Sequence, residues 1–172
     1  MDAATTNETI CPGCGLVMPK TSRPTTHAYY NSSPECWSVY TEVLEKEYSN
    51  PVLFAQVHQR AVDTYAVQHA GGDHPDKSVV IHLCGLYLVL DRGVHPTTIP
   101  SMHQRLASTV KSWPHFTPPE SITSLTVFDV ALSESHASAV QEWSRMVWKA
   151  WSLHHAAIAQ FVAAKLPDLI PR

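Results

Sequence analysis

The segment Cys11-Pro12-Gly13-Cys14-Gly15 constrains this chain more than any other. Two cysteines separated by two residues can place both sulfurs on one tetrahedral ion. The glycines let the backbone curl beneath it, so that amide groups face the thiolates. Such a pair supplies two ligands, and a closed structural site needs four. Cys36 is the expected third, because it falls in the first turn of a predicted helix, where the dipole favours a thiolate. His27 is the expected fourth, giving the spacing C-x2-C-x12-H-x8-C. His69 is the alternative, since it closes the next predicted helix beside Gly71-Gly72. The expected cofactor is Zn2+. Two competing readings stand beside this one. A C-x2-C can be a redox pair, although the strand-helix alternation that carries such pairs is missing here. Cys36 can be a small buried core residue.

The rest of the chain reads as helix. Ser33-Pro34 is an N-cap followed by proline at the first helical position, and Glu35 then suits the dipole. A helix should run from there to about Tyr48, with Trp37, Tyr40, Val43, Leu44 and Tyr48 on its apolar stripe. A second is expected from about Val52 to Ala70, ended by Gly71-Gly72. A third, from Asp76 or Lys77 to Asp91, is apolar nearly all round and should be the central helix. Gly85 in it would permit a close approach by a neighbour. A fourth runs from Thr97 or Thr98 to Ser112, before the proline-broken stretch. Residues 120–132 fit neither period and leave room for a short extended piece. A long last helix is expected from about Ser133 to Leu166. The fold class predicted is all-α, a bundle of about five helices with an N-terminal zinc-knuckle loop. Residues 1–10 read as a disordered leader and 11–166 as a single zinc-bearing helical domain.

Composition narrows the function. The 12 basic residues are scattered against 15 acidic ones, for a formal charge of −3, so a nucleic-acid partner is not expected. The most apolar run, Val79 to Leu90, contains His82 and is too short to span a bilayer, so no membrane partner is expected either. The N-terminus lacks the pattern of a signal peptide, which gives a cytoplasmic location. There the four cysteines stay reduced and are not a disulfide framework.

Histidine is in excess, with eleven residues. In a helical hairpin turning at residues 71–75, His82 comes to lie opposite Asp63 to Tyr65. His58, Asp63, His82 and His154 are therefore the candidate catalytic set, as acid–base groups or as ligands of a metal with open positions. The plainer reading of each is a hydrogen-bonded core residue. His74, His95, His103, His115 and His136 are expected to be solvated, and Cys84 to be core.

The order of motifs resembles the DUF5946 family of uncharacterised proteins. The residues that carry the likeness are Cys11-Pro12-Gly13-Cys14-Gly15, His27-Ala28-Tyr29, Ser33-Pro34-Glu35-Cys36-Trp37, Val62-Asp63-Thr64-Tyr65-Ala66-Val67-Gln68-His69, Ser78-Val79-Val80-Ile81-His82-Leu83 and Trp148-Lys149-Ala150-Trp151 ahead of His154-His155. Ala70 departs from the pattern, which leads one to expect proline. The resemblance implies an architecture and candidate positions but no reaction. The leading expectation is a zinc-binding helical protein whose zinc is mainly structural, with a pocket for a small-molecule ligand in the bundle. The alternatives are a metal- or histidine-dependent enzyme acting on a small molecule, and a regulatory module sensing metal or redox state through its thiols.

Overall fold

The computed structural model describes residues 7–22, 27–120 and 125–169. It is an all-α bundle with a two-stranded hairpin at its N-terminal end. Strands β1 (Glu8–Ile10) and β2 (Val17–Pro19) pair antiparallel, with Thr9 opposite Met18. Residues 8–10 of the expected leader form strand β1, and residues 1–6 lie outside the described residues. The loop expected from residue 11 onward is in part this hairpin. Its two strands are too short to show an alternating pattern in the sequence. The turn between them is the cysteine knuckle. Cys11 N–H donates to Leu16 O and Gly15 N–H to Cys11 O, each at 2.8 Å. Gly15, at φ 74°, takes the left-handed conformation that this turn requires.

Helix α1 (Pro34–Tyr48) starts as the sequence predicts, with Ser33 Oγ accepting from Cys36 N–H at 3.2 Å. The second predicted helix is three pieces end to end. These are α2 (Pro51–Leu53), a π-helical turn (Phe54–His58) and α3 (Gln59–Gln68). A turn through Gly71 and Gly72, both at positive φ, leads into α4 (Asp76–Leu90). α4 packs against α3, α5 (Ile99–Thr109), α7 (His136–Ala150) and α8 (His155–Lys165), and almost all of its residues from Val79 to Val89 are buried. That is the environment its all-round apolar surface demands. The ambiguous stretch before residue 133 holds a short helix, α6 (Val127–Leu132), which packs on α1. A capping box starts it, with Thr126 N–H donating to Asp129 Oδ2 at 2.7 Å and Phe128 N–H to Thr126 Oγ1 at 3.2 Å.

The long last helix is broken between α7 and α8 by a 3-10 turn at Ser152–His154. An unbroken helix would offer the Trp148 carbonyl to the amide of residue 152. Instead that carbonyl accepts from Trp151 N–H at 3.0 Å and from the His155 ring Nε2 at 2.9 Å. The His155 ring also stacks on the Trp148 indole, 3.9 Å between centroids.

The core is anchored by Trp143, Trp151, Tyr65, Leu83, Leu86 and Ile158, all fully buried. Each such apolar side chain contributes about 1.5–3 kcal/mol relative to exposure. Trp143 Nε1–H donates to Gln68 Oε1 at 2.9 Å, tying α7 to α3. Among the described residues no helix is long and apolar enough to cross a membrane.

Candidate metal centre

Three separate segments converge beneath the hairpin. The knuckle supplies Cys11 and Cys14, the first turn of α1 supplies Cys36, and the C-terminal end of α3 supplies His69. All four side chains are buried, with 3% exposure or less. One donor atom of each lies within 4.8 Å of all the others. Cys14 Sγ is 3.7 Å from Cys36 Sγ, and Cys36 Sγ is 3.3 Å from His69 Nε2. A tetrahedral ion with metal–sulfur bonds of about 2.3 Å and a metal–nitrogen bond of about 2.0 Å would set these edges at about 3.8 and 3.5 Å. The donors already stand near coordination spacing. No disulfide forms, and all four cysteines are free.

The imidazole is oriented for the task. His69 Nδ1 lies 2.8 Å from Tyr65 O, a pure acceptor, so Nδ1 carries the proton and donates it. That leaves the Nε2 lone pair facing the sulfurs, the outer hydrogen bond that metal-ligating histidines use. The His69 carbonyl is held in turn by Asn31 N–H at 3.0 Å and by the His74 ring Nδ1 at 3.1 Å. Glycine at position 13 is required for the approach. A Cβ there would collide with the Asn31 carbonyl oxygen and lie 2.6 Å from His69 Cδ2.

The electrostatics point the same way. Ser33 N–H donates to Cys11 Sγ at 3.4 Å and Tyr65 O–H to Cys36 Sγ at 3.5 Å, so each of these sulfurs has a donor besides its thiol neighbours. Hydrogen bonds from the Cys14 and Cys36 thiols hold Cys11 far below its ordinary range, against the opposing effect of burial. The bond that Cys14 donates to Cys11 and its own burial push Cys14 up to about 12, and the same two causes push Cys36 higher still. A divalent cation would allow three thiolates.

His27 stands outside this set. Its ring stacks on Tyr30 at 4.1 Å between centroids and packs against Tyr29 and Trp37, while its Nδ1 accepts from Tyr29 N–H at 3.4 Å. It is not among the four residues whose donor atoms lie within 4.8 Å of one another. Cys84 is buried within α4, away from the thiol cluster.

The four residues expected to converge in the bundle divide among three places. His82 Nδ1 lies 2.8 Å from Asp63 Oδ1, which Gln59 Nε2–H also reaches at 2.8 Å. The neighbour that completes this group is His103 of α5, whose Nε2 is 3.7 Å from Asp63 Oδ1. Burial raises the Asp63 carboxyl to about 7 and lowers His82 to about 4. His58 faces elsewhere. Its Nδ1 meets Glu47 Oε2 at 2.8 Å, and His136 Nε2 meets Glu47 Oε1 at 2.9 Å. His154 is on the rim, with Nε2 2.9 Å from the Thr117 carbonyl oxygen. Three histidines expected in solvent are in fact shielded: His74 and His136 are buried and His103 is mostly so, whereas His95 and His115 are exposed. His103 and Glu47 escape a reading of the sequence, yet both left a signal. Gly85 marks a close approach to α4, and Glu47 continues the Cys36-Tyr40-Val43 spacing that forms the inner face of α1.

A depression of about 240 Å³ opens beside the knuckle, between Pro12, Gly13, Gln68, Gly71, Pro118 and Trp151. The model of a family of unknown function, DUF5946, matches residues 9–152, a span that takes in all four donors of the thiol cluster. No curated protein matches the chain, and neither does any solved structure.

Proposed function

The chain belongs to the DUF5946 family, whose function is unknown, and we propose that it is a zinc protein in which the ion is structural. Cys11, Cys14, Cys36 and His69 would hold the ion and fasten the hairpin to α1 and α3. The observation that carries this reading is the His69 ring, whose Nδ1–H is committed to Tyr65 O while Nε2 faces three buried sulfurs. Four protein donors leave no position for a substrate, which separates a structural zinc from a catalytic one. Sulfur-rich tetrahedral donation favours zinc among the common divalent ions. The thiols would remain available to it in a reducing compartment such as the cytoplasm.

The test is metal analysis of protein purified from zinc-containing medium. The wild type should carry zinc, and Cys36→Ser and His69→Ala should each lose it. His27→Ala should retain it. Zinc lost with His27 and kept without His69 would overturn the assignment of ligands. A second reading, acid–base or metal-assisted chemistry on a small molecule, draws support from the Asp63–His82 pair and the depression beside the knuckle. Loss of an activity in His82→Ala, with zinc retained, would favour it.

A further inference from the structure

Asp63, His82 and His103 come from three different helices, and their donor atoms lie within 4.8 Å of one another. The Asp63 side chain is fully buried, and those of His82 and His103 are each 14% exposed. Among the described residues, Asp63 Oδ2 and His103 Nε2 have no hydrogen-bond partner, although both are shut off from solvent. His103 Nε2 stands 3.7 Å from Asp63 Oδ1, beyond hydrogen-bond length.

The space between them is kept open by the fold. A Cβ on Gly85 would collide with Asp63 Oδ2 and stand 2.8 Å from His103 Nε2. Donor separations of 2.8 Å (Asp63 to His82) and 3.7 Å (Asp63 to His103) bracket the edges of about 3.0 to 3.4 Å around an ion with bonds near 2.1 Å. His82 also lines a surface depression of about 300 Å³ with Tyr29, Pro75, Lys77, Ser78 and Ile81, which gives the group a side toward solvent.

We propose that Asp63, His82 and His103 form a second divalent-metal site, separate from the thiol cluster and left with open positions for water. Two imidazoles and one carboxylate suit a first-row transition ion such as zinc or ferrous iron. The site stands or falls apart from the structural zinc.

Cobalt(II) titration of reduced, metal-free protein separates the two, because only the thiol site gives sulfur-to-cobalt charge-transfer absorption. The wild type should bind two cobalt ions per chain by equilibrium dialysis, one of them contributing that absorption. Asp63→Asn and His103→Gln should each lose one ion, half of the bound cobalt, and keep the absorption, which also shows that they are folded. A single ion in the wild type that carries the absorption would overturn the proposal, whatever the variants do. So would two ions in both variants, since the second would then sit on other histidines. A single ion in the wild type without the absorption, and none in Asp63→Asn or His103→Gln, would sink the thiol site and leave this one standing.

Discussion

Removing the metal should free the hairpin while the helices remain packed. With the thiol site empty, residues 7–22 are tied to the bundle by few contacts. Thr21 N–H donates to Glu35 Oε1 at 2.8 Å, a bond to a charged acceptor worth about 1.5–3 kcal/mol. Leu16 and Met18 pack half-buried against the core, about 1 kcal/mol each on half of the usual burial value. With the bond from Ser33 N–H to Cys11 Sγ, worth about 0.5–1.5 kcal/mol, these contributions reach about 5 kcal/mol. Against them stands the cost of ordering the segment, about 1–2 kcal/mol for each residue fixed. A two-stranded hairpin supplies little stability of its own. Its opening should therefore cost almost nothing without metal. With metal it must release the ion, at a cost of about 10–16 kcal/mol by analogy with zinc-finger peptides. Amide hydrogen exchange reads the difference. On chelation, protection of the Cys11 and Lys20 amides, both hydrogen-bonded within the hairpin, should fall by at least about a thousandfold, or about 4 kcal/mol. Amides in the middle of α4 should change by less than about tenfold, because that helix opens only with the bundle. Equal protection of the hairpin in metal-free and metal-loaded protein would refute the reasoning.

Gly13→Ala should lower stability by about 1–3 kcal/mol, as overpacking does, and should weaken metal binding because the new methyl group presses on His69. Thermal melts should show a larger loss in metal-loaded than in metal-free protein. Glu47 gives a test in acid. Burial opposes its ionisation, but hydrogen bonds from His136 and His58 outweigh burial and hold the carboxyl below its ordinary value. A carboxyl depressed in the folded state stabilises fully above the unfolded value of about 4.3, and that contribution is lost as pH falls through the folded value. Glu47→Gln should thus cost about 2 kcal/mol at pH 7, and the difference from wild type should shrink as pH falls below about 4.3 in denaturant titrations. A constant difference across that range would show that the charge of Glu47 is not what matters.

Local chemistry was legible in the sequence, and contacts set by packing were not. The knuckle, the Ser33-Pro34 start of α1, and the α3–α4 hairpin that brings His82 to Asp63 all follow from short-range rules. Thr126-x-x-Asp129 is also a local signal, and it fixes the start of α6 where apolar periodicity is silent. The choice between His27 and His69 is of another kind. His27 lies closer in sequence to the cysteines, but His69 arrives only because α3 packs beside α1 and Gly13 admits its ring. The break at Ser152–His154 depends on a side chain competing for a backbone carbonyl, which no spacing rule reveals. Glu47, His103 and His136 look like surface residues one at a time. Each is buried by a partner far along the chain, His136 by a residue 89 positions away.

X-ray absorption at the metal edge, on protein loaded with one equivalent of zinc, tests the central claim most directly. The account predicts three sulfur neighbours at about 2.3 Å and one nitrogen at about 2.0 Å. A shell of two sulfurs with two nitrogen or oxygen atoms, or one with no sulfur at all, would contradict it.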